Sequence, residues 1–485
     1  MILRFFQILF LAVSLSTCTF IGTDLLKELP KPVVFDPPKP ESWTMQNGLK
    51  VFFLEDKELP LVSGSLYMKG GSLWAQPQAG IQVSAMGSLM RGGGAGKFSA
   101  DELDKKLEEL SASISSSFSD EYGAVSFFSL ESDFDEVFGL FADVVLRPRF
   151  EESRTSLLKG QSLESILRRK DDASTVAGIA FRELLYGRDN QYGYVSIQED
   201  VKAIDKSDLL KWHKTFVRPK DAILAVTGSI KKEVLKSALM KSFSNWESGV
   251  EEYKVPPPIN FQPKPAIYFI KAPFTQATAY MGHRGVKRLS PDFMEIEVFN
   301  DIFGGGGFSS RLMKAIRTKR GLAYGVYGVI QPGVVEGQNI IVVKTKAETT
   351  GEAIDGSLDE LKYMQTEPVS RTELENTRRS IENSFVFRFE SPAEIIERSA
   401  LLDLLDYPLD YDEVYIDKLH AVTPEDVLQV AKGRWDINKI LIVIVGNDQA
   451  LENVRQTQSL PGSNLADLEI VEVDFNERLI SDAVH

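Results

Sequence analysis

The chain has 485 residues, 43% of them hydrophobic and 26% charged, the balance of a soluble globular protein with room for two or more ordinary domains. Its formal charge of −14 and pI near 5.1 argue against nucleic acid or anionic lipid as the main partner. A single cysteine, Cys18, excludes an intrachain disulfide and a thiolate zinc site.

At the N-terminus Arg4 precedes an apolar run from Phe5 to Val13, too short to span a bilayer as a mature helix, so residues 1–17 read as a secretory signal. Leu15-Ser16-Thr17-Cys18 resembles a bacterial lipobox, which makes Cys18 the expected lipidated first residue of the mature chain. Thr17 departs from the usual Gly, Ala or Ser there, and an ordinary signal peptide with a chance cysteine is the alternative. A lipid on Cys18 implies attachment to a membrane in the bacterial cell envelope, facing the periplasm, without spanning it.

Residues 18–43 form a proline-rich spacer, with Pro30, Pro32, Pro37, Pro38 and Pro40. Asn47-Gly48 predicts a tight turn into a strand-like stretch rich in Val, Phe and Leu, opening a first domain over 44–247. A second proline cluster in 248–265 (Pro256 to Pro258, Pro263, Pro265) reads as a linker. A second domain follows over 266–447, then an acidic tail over 448–485, read as loosely packed with a short strand near LEIVEVDF.

The two domains repeat. Ala203 to Gly228 aligns without a gap onto Ala421 to Gly446 at a constant offset of 218, each copy an acidic helix start, an amphipathic helix and an apolar strand ending in Gly. A repeat this long means duplicated domains, since solenoid repeats run about 20–50 residues. Strands and helices mix without regular βα alternation, so the fold class is α+β.

Two glycine-rich stretches invite nucleotide readings that fail. GGGAGK at 92–97 lacks the first glycine and the Ser or Thr of a P-loop, and Gly304 to Gly307 is followed by no dinucleotide pattern. Both read as mobile loops after helices.

The stretches NGLKVFFLEDKELPLVSGSLYMKGGS, LLYGRDNQYGY and GGGGFSSRLMKAIRTKRGLAYGVY are similar to those of the M16 metallopeptidases, the pitrilysin, insulin-degrading and mitochondrial-processing peptidase family, over roughly Thr44 to Gly446. The resemblance implies two tandem homologous domains forming half of a clamshell. Family members carry H-x-x-E-H on an early helix, where i, i+3 and i+4 share one face. In this chain those places hold Val83, Met86 and Gly87, none able to ligate zinc catalytically. The third ligand position falls at Ser165, or at Glu164 one register away. His213, His283, His420 and His485 lie too far apart in sequence to share a helical site. His213 and His420 read as solvent-facing or capping residues; His283 stays unassigned.

In the second domain Ser309 or Ser310 is expected to cap a helix starting at Arg311 and closed by Gly321, with LAYGVYG leaving as a strand. The resemblance assigns Arg317 and Tyr324 to substrate and oxyanion contacts in a shared cavity, a role suited to a guanidinium and a phenol. The bland alternative is a surface ion pair for Arg317 and core packing for Tyr324. The chain thus resembles a non-metal M16 subunit, inactive alone, with no cofactor of its own and zinc expected in a partner carrying H-x-x-E-H. Unfolded peptides would be the substrates of the pair. The competing reading is an inactive peptide-binding or scaffold lipoprotein; a self-sufficient peptidase needs ligands this sequence does not display.

Overall fold

The computed structural model describes residues 38–247 and 256–479. The signal segment, Cys18, most of the spacer, part of the linker and His485 lie outside the described residues. The first six strands are β1 (Glu41–Thr44), β2 (Lys50–Glu55), β3 (Leu61–Lys69), β4 (Ser113–Phe118), β5 (Tyr122–Leu130) and β6 (Ala222–Gly228). They form one sheet in the order β1-β2-β6-β3-β5-β4. The second six are β7 (Ile267–Lys271), β8 (Gln276–Arg284), β9 (Ala323–Gln331), β10 (Gln338–Lys346), β11 (Leu441–Gly446) and β12 (Ile470–Val473), in the order β12-β7-β11-β8-β10-β9.

Five strands of each sheet correspond one to one. β2 pairs parallel with β6 as β7 does with β11, and the antiparallel pairs β6–β3, β3–β5 and β5–β4 match β11–β8, β8–β10 and β10–β9. The fold is α+β, with two like-built sheets. The repeated apolar strands are β6 and β11, third in their sheets and buried along their whole length. Burial on both faces explains their near-continuous apolar runs. Asn47 and Gly48 make the turn between β1 and β2, with Gly48 at φ +96°.

The helices that cover these sheets or border the candidate sites include α1 (Gly80–Gly92), α2 (Phe134–Leu146), α3 (Glu152–Leu167), α4 (Ala173–Tyr186) and α5 (Lys206–Phe216) in the first half. The second half adds α6 (Thr350–Thr366), α7 (Pro392–Leu404), α8 (Pro424–Arg434) and α9 (Asp448–Gln458). One face of β6 sends Leu224 and Val226 into a core with Phe138 and Phe141 of α2. The opposite face sends Ile223 and Ala225 against Ile396, Ala400 and Leu404 of α7, which belongs to the second half. The exchange is mutual. Helix α4 of the first half lays Val176, Ala180, Phe181 and Leu184 against Val443 of β11 and Val342 of β10. Each buried Ile, Leu or Phe contributes about 1.5–3 kcal/mol, so these loaned helices fasten the halves together.

The stretch 448–479 is not loosely packed. Helix α9 buries Ala450, Leu451 and Val454, and β12 pairs parallel with β7. Residues beyond β12 reach the first half. The Leu479 amide donates to Glu183 at 3.0 Å, Arg188 donates to the Leu479 carbonyl at 2.6 Å, and Arg169 donates to the Glu477 carbonyl at 3.2 Å. The sparse apolar residues of this stretch fall at helical spacing, which composition alone conceals.

Neither glycine stretch is a free loop. Backbone bonds tie residues 93–96 to 147–151, and a Cβ at Gly304 would lie 2.1 Å from the Gly328 nitrogen of β9.

Degenerate metal position and candidate substrate-binding surface

Helix α1 packs on β4 and α5. Val83 and Met86 are 0% exposed and belong to the first core. A Cβ at Gly87 would sit 2.3 Å from the Phe118 nitrogen, and Ser116 Oγ donates to the Gly87 carbonyl at 2.6 Å. The helix therefore approaches the strand closely enough to leave no volume for an imidazole. Glu164 and Ser165 of α3 are exposed, and Glu164 pairs with Arg168 at 2.5 Å. Gln82, the polar neighbour on α1, is committed to structure: it donates to Asp208 at 3.0 Å and accepts from Trp212 Nε1 at 2.9 Å. These residues do not fit a zinc ion. Among the described residues, no three His, Cys, Asp or Glu side chains are grouped to hold a metal.

The histidines serve the fold. His213 Nε2 donates to the Val145 carbonyl near the end of α2 at 2.8 Å, and burial pushes its pKa down. His283 is buried at the end of β8, where Nδ1 donates to the Arg284 carbonyl at 2.7 Å and Nε2 accepts from the Asp436 amide at 3.0 Å. Desolvation lowers its pKa too, consistent with a neutral ring. His420 lies 3.5 Å from Glu382 on the surface.

The second half presents a different surface. Ser310 is the cap: its hydroxyl donates to the Gly307 carbonyl at 2.8 Å and accepts the Met313 amide at 3.4 Å. The helix beyond it departs from expectation, since Met313–Lys319 is wound as a π-helix. Such wide turns are rare and concentrate at functional sites. Arg311 is pinned by Glu373 through two bonds of 3.0 and 2.7 Å. Arg317, two turns on, has no such partner. Its guanidinium lies over the ring of Phe308, 5.0 Å from the centroid, and that ring is itself 72% exposed. Gly321, at φ +64°, reverses the chain into β9.

Tyr324 owes its position to a break in the ladder. Lys344 pairs with Gly325 and Thr345 with Ala323, so Tyr324 is the extra residue of a β-bulge on the sheet's edge strand. Bulges re-aim side chains. By strict alternation Tyr324 would share the face of Val326 and Ile330, both buried; instead it is 48% exposed. Among the described residues, neither Arg317 nor Tyr324 makes a side-chain ion pair or hydrogen bond. Both alternatives of the bland reading, an ion pair and a core ring, are absent.

A hollow of about 500 Å³ lies beside α4, lined by Phe181, Tyr186, Tyr192, Tyr280, Glu121 and Glu336 among others. Arg317 and Tyr324 do not line it. Burial raises the pKa of the Tyr280 phenol, with Tyr327 of β9 adding to the effect. Tyr280, Glu121 and Glu336 escape sequence reasoning, because they are single residues on separate strands and turns. Tyr186 and Tyr192 sit in LLYGRDNQYGY, and Tyr327 ends GGGGFSSRLMKAIRTKRGLAYGVY, both stretches that stand out.

Residues 203–381 match the family model described as Peptidase M16 inactive domain. The chain is similar to M16 peptidases, the matching model lying within 203–381. Among curated relatives, it is 22% identical over 392 residues to an uncharacterized zinc protease YmxG of Bacillus subtilis, covering 80% of this chain and 94% of that one. It is 21% identical over 405 residues to the non-peptidase homolog YmxG of Helicobacter pylori, covering 83% and 93%. The M16 inactive domain structure from Pseudomonas fluorescens superposes with a TM-score of 0.75 at 24% identity, covering 84% of this chain and 98% of that chain. The periplasmic protease PqqL from Escherichia coli superposes with a TM-score of 0.73 at 15% identity, covering 85% of this chain but 47% of that one. The match to an inactive-domain model stands beside the apolar packing of Val83 and Met86 on α1.

Proposed function

We propose that this chain is the non-metal member of a split M16 peptidase, working beside a second M16 chain that carries H-x-x-E-H and zinc. Its own part is to bind an unfolded peptide and to present Arg317 and Tyr324 as donors toward the carbonyl under attack. The observation that carries this reading is that both donors are held at the surface and left unspent inside the chain. A guanidinium and a phenol with no hydrogen-bond or ion-pair partner among the described residues are available to an oxyanion, where such donors act most strongly. The match to less than half of PqqL supports a second M16 body completing the assembly. A lipid on Cys18 would hold the pair at a membrane of the bacterial envelope, facing the periplasm.

Purifying the tagged chain from its native cell tests the pairing. The expected result is a near-stoichiometric M16 homologue carrying H-x-x-E-H, with zinc in the complex and peptide cleavage absent from either chain alone. In the reconstituted pair, Tyr324→Phe should lower kcat by about tenfold or more while assembly is unchanged. Unchanged turnover removes Tyr324 from that role. Recovery of the chain alone, metal-free and inert, would instead support a peptide-binding or scaffold lipoprotein, the reading that the Helicobacter non-peptidase homolog favours.

A further inference from the structure

Against a net charge of −14, a hollow among the described residues has the opposite character. It measures about 780 Å³ and lies where the end of β8 meets the C-terminal ends of α6 and α8. Arg284, Lys362, Lys432, Arg434 and Lys439 line it, and Asp436 is the sole acid among its lining residues. This volume falls in the range of small-molecule sites, about 300–1,000 Å³.

The walls are fixed by bonds made beneath them. Gln365 Nε2 donates to the Ala431 and Trp435 carbonyls at 2.9 and 2.8 Å, occupying acceptors at the end of α8. Asn339 donates to the Arg434 carbonyl, and buried His283 accepts the Asp436 amide. Three of the five cations already have acids: Arg434 with Asp292 at 2.6 Å, Arg284 with Glu336 at 3.3 Å, and Lys439 with Asp436 at 3.2 Å. Lys362 and Lys432 have no acid partner among the described residues, and both face the hollow. Trp435, 2% exposed, lines the same hollow and leaves its indole N–H without an acceptor. A Cβ on Gly433 would meet nothing within 4 Å, so open space lies beside the two lysines.

Basic residues do favour helix C-termini, which explains one or two cations here but not five around one cavity. The geometry points to an anion-binding site, with Lys362 and Lys432 gripping the phosphate of a phosphorylated polar molecule or of a lipid headgroup. The lining is mostly polar side chains, which suits the charged group rather than an acyl chain. The site is independent of the peptidase pairing, since it shares no residue with the Arg317 and Tyr324 surface.

Titration calorimetry of the full chain with inorganic pyrophosphate at low salt, alongside flotation with vesicles of phosphatidylglycerol or of phosphatidylcholine alone, tests it. Saturable pyrophosphate binding that drops at least tenfold in Lys362→Gln/Lys432→Gln, with Tm unchanged, is the expected outcome for a soluble phosphate compound. Binding to phosphatidylglycerol vesicles beyond the phosphatidylcholine background, lost in the same variant, assigns the phosphate to a headgroup. The control Lys314→Gln/Lys319→Gln should bind as the unaltered chain does. No saturable binding to either probe, or equal binding by both double variants, overturns the proposal.

Discussion

A methyl group at position 87 would sit 2.3 Å from the Phe118 nitrogen and 2.8 Å from the Ser117 carbonyl carbon. Both are backbone atoms of β4, which cannot swing aside as a side-chain tip would. Gly87→Ala should therefore destabilise the chain by about 1–3 kcal/mol, seen as a lower Tm in thermal unfolding. An unchanged Tm would mean that α1 slides freely on β4. Half-buried His213 and buried His283 set a pH response. His213 and His283 have pKa values held below the ordinary 6.5 by desolvation. Below that value the unfolded chain takes up protons that the folded chain refuses, so stability should fall as pH drops through and beneath it. Glu183 works the opposite way: burial raises its pKa above 4.5, so its contribution weakens as pH rises from there toward the folded value. Denaturant melts between about pH 5 and 7.5 should show a shallower acid-side slope in His283→Gln than in the unaltered chain. Equal slopes would place the response elsewhere.

At the scale of elements, the strands and the repeat are legible in the sequence, and the departures from regular structure are not. β6 and β11 declare themselves because a strand covered on both faces must be apolar throughout, and a gapless offset of 218 needs no structure to see. The bulge at Tyr324 is hidden, since one extra residue alters the pairing without altering the composition of the strand. The π-helix is hidden for the same reason. The end of the chain misleads differently: acidic residues dominate it, yet five buried residues of α9, three of them apolar, and a four-residue strand anchor it. Leu479, 1% exposed in the core shared with α4, marks how firmly it is held. Leu479→Ala should cost about 2–5 kcal/mol in a denaturant melt. A loss below about 0.5 kcal/mol, the scale of surface substitutions, would show that this segment is an ornament.

For the whole molecule, the loaned helices set how it can be divided. Helix α7 covers β6 and β3, and α4 covers β8 and β11, so neither sheet is complete without the other half. Cutting the chain within 248–265 should give halves that are insoluble when made singly and a soluble complex when made together. Size-exclusion chromatography after separate expression and co-expression measures this directly. A monomeric, cooperatively folding single half would show that the borrowed helix is dispensable.

That mutual loan also bears on what the first half contributes besides any chemistry. A domain whose only duty was chemistry would drift once the chemistry lapsed. Here the first half still shelters Ile396, Ala400 and Leu404 of its sister. Substitutions that keep α1 packed leave that shelter intact, whereas substitutions that unfold the first half uncover the second. Selection can thus preserve a half for its housing alone, whatever chemistry that half does or does not carry.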